Sequence, residues 1–250
     1  MRLDRSPPSG VAVLRLEHGK ANAIGLAFVA ALSARLDELT VAPPRALVIT
    51  GRGPIFSAGL DLPALLALPR DAMARFIHDF EQVMRRLFTV PVPVIAAING
   101  HAIAGGCVLA LQADVRVAAA TPSIKLGLNE VAIGLGLPPH VLESLRAQVP
   151  ASSLVPIALE GRLVAPTEAL RLGLIDLVVA PDELEARALA RAEALAAGSP
   201  IAFAQIKAAL RAPAVAAGGR SRDDVDLWLD TWFSDDGQRA LTAAVARLKR

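Results

Sequence analysis

The stretch VIAAINGHAIAGGCVLALQADVRVA, residues 94–118, decides the fold. It opens on the apolar run Val94–Ile98, bounded by Pro93 and by an Asn99-Gly100 turn signal, so it reads as a buried strand. Gly105-Gly106 then leads an apolar run of helical length over 104–112. The chain returns as a second strand at 114–118. Strand, helix and strand in so short a stretch are the mark of an α/β fold.

The same alternation continues in both directions. Upstream, 11–16 alternates as a strand, and 26–39 carries Leu26, Val29, Leu32, Leu36 and Leu39 at helical spacing. Ala46–Thr50 is a short β-branched run ending at Gly51, and 70–88 reads as a helix stopped by Pro91 and Pro93. Downstream, a short helix over 166–172 leads to a strand over 175–179. After Pro181 only helices are expected, over 182–197, 200–210, 223–233 and 235–248, with a hinge at 196–200 and a loop over 211–222. The expected organisation is an α/β core over 1–196 that carries the site, then a helical region over 197–250.

Composition narrows the function. The chain has 250 residues, 26 Lys+Arg against 24 Asp+Glu, and a hydrophobic fraction of 54%. A chain of this length buries roughly 70–75% of its extended surface, so it builds a core without staples. No apolar run approaches the ~20 residues of a membrane span. The start, MRLDRSPPSG, lacks the apolar centre of a secretory leader. Cys107 is the single cysteine, which excludes an internal disulfide and a thiolate-built zinc site and points to a reducing, cytoplasmic setting. Basic residues are scattered, aromatics make up 4% and Tyr is absent, so a nucleic-acid partner is not expected.

Three segments depart from ordinary packing. Residues 51–62, GRGPIFSAGLDL, follow the strand Ala46–Thr50, where open α/β folds hold ligands. Ala58-Gly59 there lets backbone N–H groups approach a ligand; equally, the segment is a strand-to-helix connection with Asp61 as N-cap. Gly105-Gly106 joins unpaired N–H groups to a positive helix end, a site for developing negative charge, or else serves close helix–strand packing. Residues 124–136, IKLGLNEVAIGLG, isolate Glu130 in an apolar stretch. That carboxylate is either solvated at a turn or buried with a raised pKa, as a general base requires. His18, His78, His101 and His140 have no metal-ligand spacing, and His101 and Asp114 read as structural.

Taken together and in this order, the segments FSAGLDL, INGHAIAGGCVLALQADVRVA, IKLGLNEVAIGLGLP and PTEALRLGLIDLVV resemble the crotonase superfamily, the enoyl-CoA hydratase/isomerase group. Within it they look most like the mitochondrial Δ3,Δ2-enoyl-CoA isomerases. The resemblance covers nearly the whole chain. It implies a spiral of ββα units, followed by a helical region that builds homotrimers, sometimes paired into hexamers. It implies an acyl-CoA thioester substrate, with CoA entering as part of that substrate and no metal or redox cofactor. The motifs carry an oxyanion hole onto the N–H groups of Leu60 and Gly105, the catalytic acid–base onto Glu130, and the substrate pocket onto Ala58, Gly59, Leu60, Asp61, Leu62, Gly105 and Asn129.

Hydratases of the group commonly carry a second glutamate two residues after the second motif glycine. Val108 stands there in this chain. Hydration needs an activated water, typically held between two carboxylates. A double-bond shift needs one carboxylate that takes a proton at C2 and returns it at C4. The resemblance therefore implies isomerisation of 3-enoyl-CoA to trans-2-enoyl-CoA, feeding β-oxidation. Hydration or another acyl-CoA reaction on the same scaffold stays open, and so does a non-catalytic acyl-CoA-binding protein.

Overall fold

The computed structural model describes residues 1–5, 9–218 and 222–248. The chain begins with β1 (Arg2–Arg5), β2 (Val11–Arg15), α1 (Leu26–Val41), β3 (Ala46–Thr50), β4 (Ile55–Ser57), α2 (Leu62–Leu65) and α3 (Arg70–Thr89). It continues through β5 (Val94–Ile98), β6 (His101–Ile103), α4 (Gly105–Leu111), β7 (Val115–Ala119), β8 (Leu126–Gly127), α5 (Pro139–Gln148), α6 (Pro166–Arg171) and β9 (Leu177–Val179). The helices α7 (Leu184–Ala196), α8 (Pro200–Ala217), α9 (Arg222–Phe233) and α10 (Asp235–Leu248) complete it.

Two sheets organise these elements. One has six strands in the order β1-β2-β3-β5-β7-β9, the other three in the order β4-β6-β8. Among the strand pairs of the described residues, β1–β2 alone is antiparallel. The three turns that begin at β3, β5 and β7 each lay one strand in the large sheet, one in the small sheet and then a helical segment, which is the expected spiral of ββα units. Every residue of β3 and β5 is buried, as strands of a parallel sheet covered on both faces must be. That is why both read as unbroken apolar runs rather than alternating ones.

The small sheet positions the site. Pairing of Ser57 with Ala102, after a register shift within β4, and of Ile103 with Gly127 aligns the carboxyl ends of β4, β6 and β8. Whatever follows those ends in three successive turns is stacked side by side. Close approach is needed for this. A Cβ on Gly106 would lie 2.1 Å from the Ser57 carbonyl oxygen, so α4 rests directly on β4 only because residue 106 is glycine.

The helical tail differs from expectation at 211–222. Helix α8 continues through Pro213 to Ala217, and residues 219–221 of the expected loop lie outside the described residues. A proline inside a helix removes one ladder bond, but burial of Arg211 and Ala214 beside it holds the helix on the core. Lys207 Nζ donates to Val92 O at 2.9 Å and to Asp114 at 2.7 Å. Arg211 donates to Phe88 O at 2.6 Å, to Gln112 O at 3.1 Å and to Asp114 at 2.5 Å. Helices α9 and α10 turn back onto the core, α9 against α3 and α10 against the 3-10 turn Glu130–Ile133. Among the described residues no helix is long and apolar enough to cross a membrane.

Candidate active site

The segment after β4 is pinned to the strap before α1. Ile24 N–H donates to Gly59 O at 2.8 Å and Asp61 N–H to Ile24 O at 3.0 Å, a parallel bridge opposite Leu60. These bonds use the amides on either side and leave the Leu60 N–H unused by the bridge. Gly59 takes φ +87°, a conformation open to glycine at little cost, and this turns the chain at that point. Ser57 Oγ donates to Asn22 O at 2.8 Å, and Asn22 Nδ2 donates to Phe56 O at 3.0 Å, closing the strap onto the strand.

The segment after β6 holds the second amide. Gly105 is the first residue of α4, so its N–H has no carbonyl partner a turn earlier within the helix. Ala104 before it sits at φ +50°, ψ −124°, a strained conformation for a residue with a side chain, costing on the order of 1–3 kcal/mol. Its amide is held by Gly127 O at 2.9 Å. The strain aims the start of α4 toward Leu60: a Cβ on Gly105 would lie 3.5 Å from Leu60 N. The absent side chain leaves open the space between the two amides.

The segment after β8 supplies the acid. Glu130 begins the 3-10 turn Glu130–Ile133 and is 9% exposed. Its Oε2 has no hydrogen-bond partner among the described residues. Burial pushes its pKa up to about 7, against a smaller lowering by a hydrogen bond from its own backbone N–H. Cys107 nearby is buried and its thiol is pushed up to about 12, by burial first and by the Glu130 charge second, so it carries no thiolate character.

Leu60, Gly105, Val108 and Glu130 line one cavity. Its remaining wall is apolar: Ile77 and Phe80 from α3, Leu135, Gly136 and Pro138 from the loop after Glu130, Val141 from α5 and Trp228 from α9. Ala58, Gly59, Asp61, Leu62 and Asn129 are not in this wall. Asp61 is the N-cap of α2, accepting from Ala64 N at 3.3 Å. Asn129 caps the 3-10 turn, with its Oδ1 buried and unpartnered among the described residues. His101 Nδ1 accepts from Lys125 N at 3.1 Å, a structural bond. His140 is buried beside Gln112 at 3.2 Å and held neutral, its pKa lowered to about 4 by burial. Asp114 is a loop-bonding residue, accepting from Val94 N at 2.8 Å as well as from Lys207 and Arg211.

The apolar wall was not visible beforehand. Ile77 and Phe80 belong to a buried stripe with Met73, Phe76, Val83 and Met84, and nothing in the spacing separates cavity positions from core positions. Trp228 gave no signal beyond its rarity, since the chain has 2 Trp.

The enoyl-CoA hydratase/isomerase family profile matches residues 6–249. Mouse mitochondrial enoyl-CoA delta isomerase 1 is 33% identical over 72% of this chain, which spans 63% of that protein. The Mycobacterium tuberculosis protein named probable enoyl-CoA hydratase EchA17 is 34% identical over 83% of this chain and 79% of its own length. The crystal structure of human mitochondrial delta3-delta2-enoyl-CoA isomerase superposes with a TM-score of 0.95 at 28% identity, covering 99% of this chain and 97% of that one. With the spiral fold, the convergent strand ends and a profile match over nearly its whole length, this chain belongs to the enoyl-CoA hydratase/isomerase family.

Proposed function

We propose that this protein isomerises 3-enoyl-CoA to trans-2-enoyl-CoA with one carboxylate. The observation that carries the reading is the cavity wall itself: Glu130 is its one acidic residue, and Val108 stands where a second acid would hold a water. Glu130 as carboxylate removes a proton from C2. The electron pair moves into the C1–C2 bond, and the thioester oxygen gains negative charge. The Leu60 and Gly105 N–H groups face that oxygen, a device worth several kcal/mol of barrier. The protonated Glu130 then returns its proton to C4, and the double bond moves from C3–C4 to C2–C3. An apolar cavity suits this chemistry because a partly desolvated carboxylate with a pKa near 7 is a stronger base toward a carbon acid than a solvated one.

A polar cleft lined by Lys20, Arg52, Asn22 and Glu17 lies on the strap that pins Gly59 and offers two cations, beside one carboxylate, to the phosphates of CoA. The exposed face of α8, with Ile201, Ile206 and Leu210, supports assembly into a homotrimer or a dimer of trimers. Light scattering at micromolar concentration tests that assembly, and a stable monomer would contradict it.

Hydration of 2-enoyl-CoA is the second reading, favoured by the similarity to a protein named as a hydratase. A panel of 2-enoyl- and 3-enoyl-CoA thioesters, assayed for both reactions, separates the two. Isomerisation should dominate; hydration faster than isomerisation would reverse the assignment.

A further inference from the structure

The cavity beside Glu130 is small. Its volume is about 20 Å³, enough for a single water. On the acyl-CoA reading above, on which this inference rests, the thioester sits at Leu60 and Gly105 and the reacting carbons at Glu130. Acyl carbons beyond C4 then meet the apolar wall. Ile77, Phe80 and Val141 in that wall belong to helices of the core. Trp228 comes instead from α9, in the tail.

Its indole is fixed from several sides. Trp228 Nε1 donates to Gly136 O at 3.0 Å, and Thr231, one turn on, accepts from Gly136 N at 3.1 Å. The ring lies against Trp232, with centroids 5.6 Å apart. The loop that holds the indole is itself seated closely, because a Cβ on Gly134 would lie 2.9 Å from Gly237 Cα near the start of α10. Arg70 on α3 ties the far side of α9 through Asp230 at 2.7 Å. A wall held this way does not yield easily to a longer chain.

We propose that Trp228 is a specificity-determining residue: its fixed indole closes the space beyond the reacting carbons and restricts the acyl group to short chains. An aromatic wall offers a chain end no polar partner, so discrimination here is by volume, the regime in which one methylene changes selectivity by roughly 10–200-fold.

Two saturated thioesters, hexanoyl-CoA and dodecanoyl-CoA, test this by calorimetric titration of the full-length protein. In Trp228→Ala the dodecanoyl-over-hexanoyl affinity ratio should rise at least about tenfold. In Trp228→Phe, which keeps a ring but loses the N–H, it should stay within about threefold of the wild type. If Trp228→Ala does not fold, as judged by circular dichroism, Trp228→Leu should show the same rise at roughly threefold or more. An unchanged ratio in the smaller variants, or an equal shift in Trp228→Phe, overturns the proposal while leaving the acyl-CoA reading intact. Failure of the wild type to bind either thioester overturns both.

Discussion

Two carboxylates, one part-buried and one buried, divide this molecule. Asp114 sits between α4 and β7 and accepts from Lys207 at 2.7 Å, from Arg211 at 2.5 Å and from the Val94 amide at 2.8 Å. Glu130 sits in an apolar cavity, and one of its oxygens has no partner among the described residues. Glu130 left water on folding, and Asp114 did so in large part. One was given two cations and an amide, and it locks a helix to the core. The other was given nothing comparable, and its pKa is pushed up to about 7. Burial that outweighs the hydrogen bonds a carboxylate receives raises its pKa, which is what a base for a carbon acid requires. The cations pay a related cost, since burial lowers Lys207 to about 8 even with Asp114 beside it.

The sharpest test of the contrast is to neutralise each acid. Glu130→Gln keeps the shape of the site but takes no proton, so isomerisation should fall by about 10²–10⁴-fold in steady-state assays while CoA-thioester affinity changes little. Near-normal turnover would remove Glu130 from the mechanism. Asp114→Asn should do the opposite. It leaves Lys207 and Arg211 buried without their counter-charge, so denaturant unfolding should show a loss of about 3–5 kcal/mol. The folded fraction should retain its activity per active site.

A smaller effect separates the paired glycines. A Cβ on Gly105 meets nothing closer than Ile24 Cδ1 at 3.3 Å but stands beside Leu60 N, whereas one on Gly106 would lie 2.1 Å from a backbone oxygen. Gly105→Ala should therefore fold with a normal melting curve and lose about 10²–10³-fold in turnover, the worth of an oxyanion donor. Gly106→Ala should instead lower the melting temperature, because Ser57 O belongs to β4 and cannot move without breaking the small sheet.

The gentlest test is pH. The folded state raises the Glu130 pKa from 4.5 to about 7. Below pH 4.5 both folded and unfolded forms hold the proton. As pH rises through this window the unfolded chain loses its proton first, so stability declines and then levels off above pH 7. The decline should be about 3 kcal/mol from this group, and Glu130→Gln should lack it. Turnover should move the other way, rising through pH 7 as the carboxylate forms. A pH-independent stability difference between wild type and Glu130→Gln would mean that the carboxyl is solvated.

Much of this was legible along the chain. Buried strands such as Val94–Ile98 read as apolar runs because both of their faces are covered. Gly105-Gly106 and Glu130 stood out because each breaks a local rule, two glycines at the head of a helix and one acid in an apolar stretch. Strands β4, β6 and β8 were not legible, at 3, 3 and 2 residues, since no period can be measured over so few positions. Helix α5 was hidden behind Pro138-Pro139, and the last turns of α8 behind Pro213.

By itself the sequence determined the alternation of strand and helix, the three segments that depart from ordinary packing and the isolation of one acid, Glu130, in an apolar stretch. These rest on residue type and spacing, which a chain carries before it folds. Only the tertiary structure decided that the ends of β4, β6 and β8 meet, that Glu130 Oε2 lacks a partner among the described residues while Asp114 has three, and that Trp228 from the tail lines the cavity. Those outcomes depend on register between strands and on contacts between residues far apart in the chain. A carboxylate's pKa is set by whichever groups the fold brings to it, and no local pattern encodes that meeting.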